Sequence, residues 1–275
     1  MENTILRNQA IGQSTWLDYI QRSMLIRGEL GDLVKKGVTG LTSNPTIFER
    51  AITGSTDYDD ALNELASASK KTEELFEALA VEDIQGAADV LRSVYDYTNG
   101  SDGFASLEVP PSLAHDTQAT VREARRLFAT LRRPNVMIKV PATPEGIPAV
   151  RTLIADGINV NVTLIFSIAA YESVIDAYIA GLEEFAAGGQ NPGKVTSVAS
   201  FFVSRLDTAI DAELRVRAAN GEPALAELTG TAAVANARKA YAMFQRVFGG
   251  ERFAALRAKG GLPQRPLWAS TSTKD

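Results

Sequence analysis

Short apolar runs punctuate the chain, and each gives way to a longer stretch in which apolar residues recur every three or four positions. That switch marks parallel βα units: a strand buried on both faces reads as a nearly continuous apolar run, and its crossover helix as an amphipathic one. Seven runs predict strands, at residues 15–20, 40–43, 104–109, 135–142, 158–166, 195–203 and 266–272. A helix follows the first, with Met24, Leu25, Leu30, Leu33 and Val34 on its stripe and Gly37 as its stop. Asn44-Pro45 marks the next turn, because the residue before a proline is kept extended while proline suits a first helical turn; this helix runs through Ile47, Phe48 and Ala51. Residues 62–70 and 81–97 carry two helical patterns with no strand between them, which predicts a helical insertion between strands two and three. Further helices are predicted over 116–131, from Thr143 (a cap, with Pro144 at the first position) to 157, from Ser167, over 206–219 behind Arg205, and over 229–259.

Strands alternating with helices fit either a doubly wound open sheet or a barrel. No Gly-x-Gly-x-x-Gly turn follows the first strand, and polar residues stand at the C-terminal end of every strand rather than at one crevice. The expectation is therefore an α/β fold, a TIM-type (β/α)8 barrel with a helical insertion, lacking its eighth strand and C-terminal helices. At 275 residues, 45% hydrophobic and 22% charged, the chain fits a single domain over 1–275. A net charge of −5 and a single histidine, His115, support neither a nucleic-acid footprint nor a histidine-built metal site. The absence of cysteine excludes disulfides and thiolate chemistry. No stretch of some 18 apolar residues is present and the N-terminus does not read as a secretory leader, so no membrane association and a cytoplasmic location are expected.

The fourth run, NVMIKVPA, places one lysine inside an apolar strand. Period-two alternation puts Met137 and Lys139 on one face and Ile138 and Val140 on the other. Lys139 either snorkels to water or is desolvated towards the neutral amine, the form that attacks carbonyls. Company favours the second reading: the strand ends also carry Asp18, Thr42, Asn44, Ser106, Glu108, Asn161, Thr163, Ser200, Arg205, Ser272 and Lys274. Carboxylates in apolar strands are costly unless paired, so Asp18 and Glu108 form an acid/base set with Lys139. Blander roles exist for several of these: Asn44 as a helix cap, Asp18 as a partner of Arg22, Thr163 and Ser200 as core filler, and Arg205 as a helix-start residue held by a carboxylate.

Residues 39–48 (TGLTSNPTIF), 136–143 (VMIKVPAT), 159–167 (NVNVTLIFS) and 200–205 (SFFVSR) resemble the transaldolases in order and spacing. WASTSTK at 268–274 is similar to strand seven of their longer subfamily. The resemblance implies a cofactor-free and metal-free class I aldol reaction on sugar phosphates, with Lys139 as the Schiff-base lysine, Asp18 taking the C4 hydroxyl proton, and Glu108 and Thr163 shuttling protons. It further implies that Thr42, Asn44, Asn161, Ser200 and Phe202 bind the retained three-carbon unit, and that Arg205, Ser272 and Lys274 hold the phosphate. Members continue into an eighth strand, which predicts a chain able to self-associate through open barrel edges. Two alternatives stand beside transfer: a truncated module for binding or assembly, and a lysine aldolase releasing free dihydroxyacetone.

Overall fold

A computed structural model describes residues 3–66 and 71–271. The chain begins with α1 (Thr4–Ala10), β1 (Thr15–Leu17), α2 (Arg22–Ile26), α3 (Glu29–Lys35), β2 (Val38–Thr42) and α4 (Pro45–Thr53). It continues with α5 (Asp59–Ala66), α6 (Thr72–Tyr97), β3 (Ala105–Glu108), α7 (Thr117–Leu131), β4 (Val136–Pro141), α8 (Gly146–Ala155) and β5 (Val160–Ile165). Then come α9 (Ile168–Ala187), β6 (Ser197–Phe202), α10 (Ser204–Ala219), α11 (Ala232–Phe248), α12 (Glu251–Arg257) and β7 (Arg265–Ala269).

All seven predicted strands are present, and the insertion between β2 and β3 is helical. The differences lie at glycines, at the N-terminus and in the insertion, where α6 begins at Thr72 rather than at residue 81 and residues 67–70 of the helix expected over 62–70 lie outside the described residues. Gly28, at φ 75°, sits in the left-handed region and splits the predicted first helix into α2 and α3. Gly249 and Gly250 divide the predicted 229–259 helix into α11 and α12. The Thr143 hydroxyl does accept the Gly146 N–H at 2.9 Å, although the regular turns of α8 begin only at Gly146. The unpredicted α1 buries no residue, so no apolar stripe announces it; the Asn3 side chain caps it by accepting the Ile5 N–H at 3.0 Å.

The chain divides into two compact units, Met1–Pro111 with Arg122–Lys139, and Ser112–Val121 with Val140–Asp275. In the first unit β1 pairs with β2, β2 with β3 and β3 with β4, all parallel. In the second, β5 pairs with β6 and β6 with β7, again parallel, and beyond the end of β4 the Ala142 N–H donates to the Thr163 carbonyl. Strand order following sequence order, with helices between, is the connectivity of a (β/α) barrel. The insertion helices build a core of their own, in which Ala51, Tyr58 and Leu79 gather Ile52, Ala61, Leu62 and Leu65.

At the N-terminal end of the first unit's strands, Trp16 lies beside Gly40 in register. A Cβ at residue 40 would fall inside the Trp16 indole. The ring has little room to yield, because its N–H donates to Asp102 Oδ1 at 2.9 Å and that carboxylate also accepts from the Ser14 hydroxyl at 2.6 Å. Gly40→Ala is therefore expected to destabilise the fold by about 1–3 kcal/mol, the usual cost of overpacking, read as a lower urea midpoint at unchanged slope.

Strand β5 carries a bulge. Its register with β6 slips between Val162 and Ile165, and Leu164 takes φ 61°, a conformation that costs a leucine. The extra residue turns Leu164 outward, 41% exposed, and returns Ile165 to the buried face beside Phe201.

Candidate active site

Parallel register sets the first cluster. Thr42 neighbours Ser106, Ser106 neighbours Met137, and one pleat nearer the C-terminal ends Glu108 neighbours Lys139. Residues two apart share a face, so these side chains form two stacked rows on one side of the strands. Lys139 is 6% exposed and, among the described residues, is the only buried lysine. Its Nζ pairs with Glu108 Oε2 at 3.1 Å and donates to the Ser43 carbonyl at 3.1 Å. Burial pushes the Glu108 carboxyl above its ordinary value; the Lys139 ammonium opposes that rise, and the nearby Asp18 carboxylate adds to it. Asp18, one residue past β1, is exposed.

Several residues of this cluster have a second task. The Asn44 side chain caps α4 by accepting the Ile47 N–H at 3.0 Å, so its capping role is realised. The Thr42 hydroxyl oxygen is buried and has no hydrogen-bond partner. A buried polar atom left unpaired is costly, and a hydroxyl-bearing ligand would relieve that cost. Arg22 does not take the role of Asp18's partner: its guanidinium pairs with Asp83 at 2.9 Å and Glu82 at 2.7 Å instead.

The second unit holds the other cluster. Asn161, Thr163 and Ser200 are all buried, and the Ser200 hydroxyl donates to Asn161 Oδ1 at 2.7 Å. At the end of β6, Phe202 packs against Phe166 with ring centroids 5.0 Å apart, and the exposed Arg205 guanidinium lies 5.1 Å over the Phe202 ring. The Phe166 carbonyl accepts from Asn236 Nδ2 at 2.9 Å. Ser272 and Lys274 lie outside the described residues.

Ser43 belongs to the first cluster and Phe166 to the second, neither having been singled out by sequence reasoning. Ser43 contributes a backbone carbonyl, which no residue type announces. Phe166 does carry a signal, an aromatic at the exit of a strand whose preceding alternate positions, Asn161 and Thr163, are polar.

Chemically, a buried amine beside a carboxylic group of raised affinity for protons can form and hydrolyse an imine. Among the described residues no group of three or more histidine, aspartate or glutamate side chains could hold a metal, and no helix is long and apolar enough to cross a membrane.

A sequence profile described as transaldolase/fructose-6-phosphate aldolase matches residues 15–275. A protein of Saccharopolyspora erythraea named transaldolase is 49% identical over 265 residues, covering 96% of this chain and 70% of its own. One from Nostoc sp. named transaldolase 2 is 46% identical over 280 residues, covering 99% and 74%. A transaldolase of Thermobifida fusca is 50% identical over 265 residues, covering 96% and 71%.

Proposed function

This chain belongs to the transaldolase/fructose-6-phosphate aldolase family, and from that we propose that it is a transaldolase, a transferase moving a dihydroxyacetone unit between sugar phosphates. The donor is fructose 6-phosphate or sedoheptulose 7-phosphate, the acceptor erythrose 4-phosphate or glyceraldehyde 3-phosphate, and the setting the cytoplasmic, non-oxidative pentose phosphate pathway. The fold class is the family's α/β TIM-type barrel, and the observation that carries the reading is the pairing of buried Lys139 with half-buried Glu108.

Lys139 Nζ attacks the C2 carbonyl of the donor, and the carbinolamine loses water to leave an iminium. Glu108, whose raised affinity for protons lets it serve as both acid and base, moves the protons of these two steps with Thr163 and a water. Asp18 takes the proton of the C4 hydroxyl as the C3–C4 electron pair moves into the iminium, giving an enamine on Lys139 and a free aldose phosphate. The acceptor's aldehyde carbon then takes the enamine's electrons, the proton returns from Asp18 to the new hydroxyl, and hydrolysis frees the lysine. The iminium is the electron sink, so the steps are complete without a metal or cofactor.

Thr42, Asn44, Asn161 and Ser200 hold the hydroxyls of the retained unit, with Phe202 against its carbons. The Thr42 hydroxyl's lack of a partner supports this assignment. Arg205, Ser272 and Lys274 bind the phosphate, for which a guanidinium is geometrically suited.

The test is acceptor dependence. Fructose 6-phosphate with erythrose 4-phosphate should give sedoheptulose 7-phosphate and glyceraldehyde 3-phosphate, with consumption of fructose 6-phosphate stopping after one turnover when the acceptor is omitted. Continuous release of free dihydroxyacetone without acceptor would make the protein a lysine aldolase instead.

A further inference from the structure

We infer that Arg22, Tyr58 and Asp83 are positioning residues that hold the Asp18-bearing segment in place for carbon–carbon cleavage. The inference rests on the transaldolase reading above. Strand β1 ends at Leu17 and α2 begins at Arg22, so residues 18–21 have no strand or helix to fix them. What fixes them is a closed ring of hydrogen bonds behind the segment. The Arg22 N–H donates to the Tyr58 hydroxyl at 3.1 Å, the hydroxyl donates to Asp83 Oδ2 at 2.8 Å, and the Arg22 Nε–H donates to Asp83 Oδ1 at 2.9 Å.

One residue is thus held through both its backbone and its side chain. The Arg22 guanidinium also lies 4.8 Å over the Tyr58 ring. All three residues are buried, Tyr58 and Asp83 almost completely. Around the ring a second layer acts in the same direction: Tyr19 donates to Gln21 Oε1 at 2.6 Å, and Gln21 donates to Asp57 Oδ2 at 2.8 Å.

A buried ion pair is a poor source of net stability, because desolvating two charges consumes most of what their attraction returns, and apolar residues of the same volume do as well. What such a ring supplies is geometry. Its anchors come from the segment after α4 and from α6, so the helical insertion becomes the backstop for the residue that accepts the C4 proton. Schiff-base formation at Lys139 needs no Asp18; cleavage does. The two steps therefore separate a positioning role from a merely structural one.

Tyr58→Phe keeps the ring face and removes the hydroxyl that joins the Arg22 N–H to Asp83. In single turnovers with fructose 6-phosphate, glyceraldehyde 3-phosphate release is expected to fall about tenfold, while borohydride trapping of the Lys139 adduct stays within about twofold of the parent. If Y58F is insoluble, Asp83→Asn is measured in the same way, since it weakens the same ring without changing volume. Trapping and cleavage falling in parallel, or cleavage unchanged in the folded variant, would overturn the inference. Failure of the parent itself to be trapped at Lys139 would instead sink the transaldolase reading, so the two failures are distinguishable.

Discussion

Lys139→Met is expected to abolish transfer, with the rate falling roughly 10⁴-fold or more and the borohydride-trapped adduct disappearing, because covalent catalysis has no substitute once its nucleophile is removed. Methionine is unbranched and apolar, so it fits the buried strand β4 without a new cavity or a β-sheet penalty of consequence. The half-buried Glu108 carboxyl, now without the ammonium 3.1 Å away, would take up a proton rather than remain an unpaired, partly desolvated anion. The variant should therefore fold, and near-ultraviolet circular dichroism matching the parent is the control. Peptide mass mapping of parent protein reduced with borohydride in the presence of fructose 6-phosphate should place the added sugar on the peptide containing Lys139. An adduct on any other lysine, or turnover by K139M above about 1% of the parent, is incompatible with the assignment.

Lys139 is legible in the sequence because a cation inside an apolar run has few inexpensive explanations, and Glu108 is legible because it sits at the matching end of the preceding strand. The strands themselves read clearly because β2, β4 and β6 are buried along their whole length, and apart from Lys139 the only polar residues in them are threonines and serines. What the sequence conceals is pairing over distance. Asp18 is the nearest carboxylate along the chain to Arg22, yet Arg22 takes Asp83, brought there by the packing of α6. The β5 bulge is equally hidden: strict alternation puts Ile165 on the face of Asn161 and Thr163, but Leu164 in a left-handed conformation reverses it, and leucine is not a residue that signals such a turn. Asn44 shows a third kind of limit, since the capping reading and the binding reading concern one side chain, and its bond to the Ile47 N–H leaves the amide nitrogen for a ligand.

Glu108→Gln should lower the rate by roughly 10²- to 10³-fold, within the range for losing a general acid–base group, while leaving Lys139 in place. The more informative result is in pH. In the parent, burial holds the Glu108 carboxyl above its ordinary value near 4.5, so the acid limb of kcat/KM, where the carboxylate needed as base becomes protonated, should lie closer to neutrality than an exposed glutamate would put it. Glutamine does not titrate, and that limb should vanish in E108Q. Stability gives an independent reading with a definite sign. A carboxyl whose folded value is raised binds its proton more tightly in the folded than in the unfolded protein, so its stabilising contribution is present below the unfolded value and is lost as pH rises through the folded one. From pH ~4.5 upward, then, the urea midpoint of the parent should decline relative to that of E108Q, which releases no such proton. A rate within about tenfold of the parent, or an acid limb that persists in E108Q, would move proton transfer to another group, with Asp18 the first to be tested.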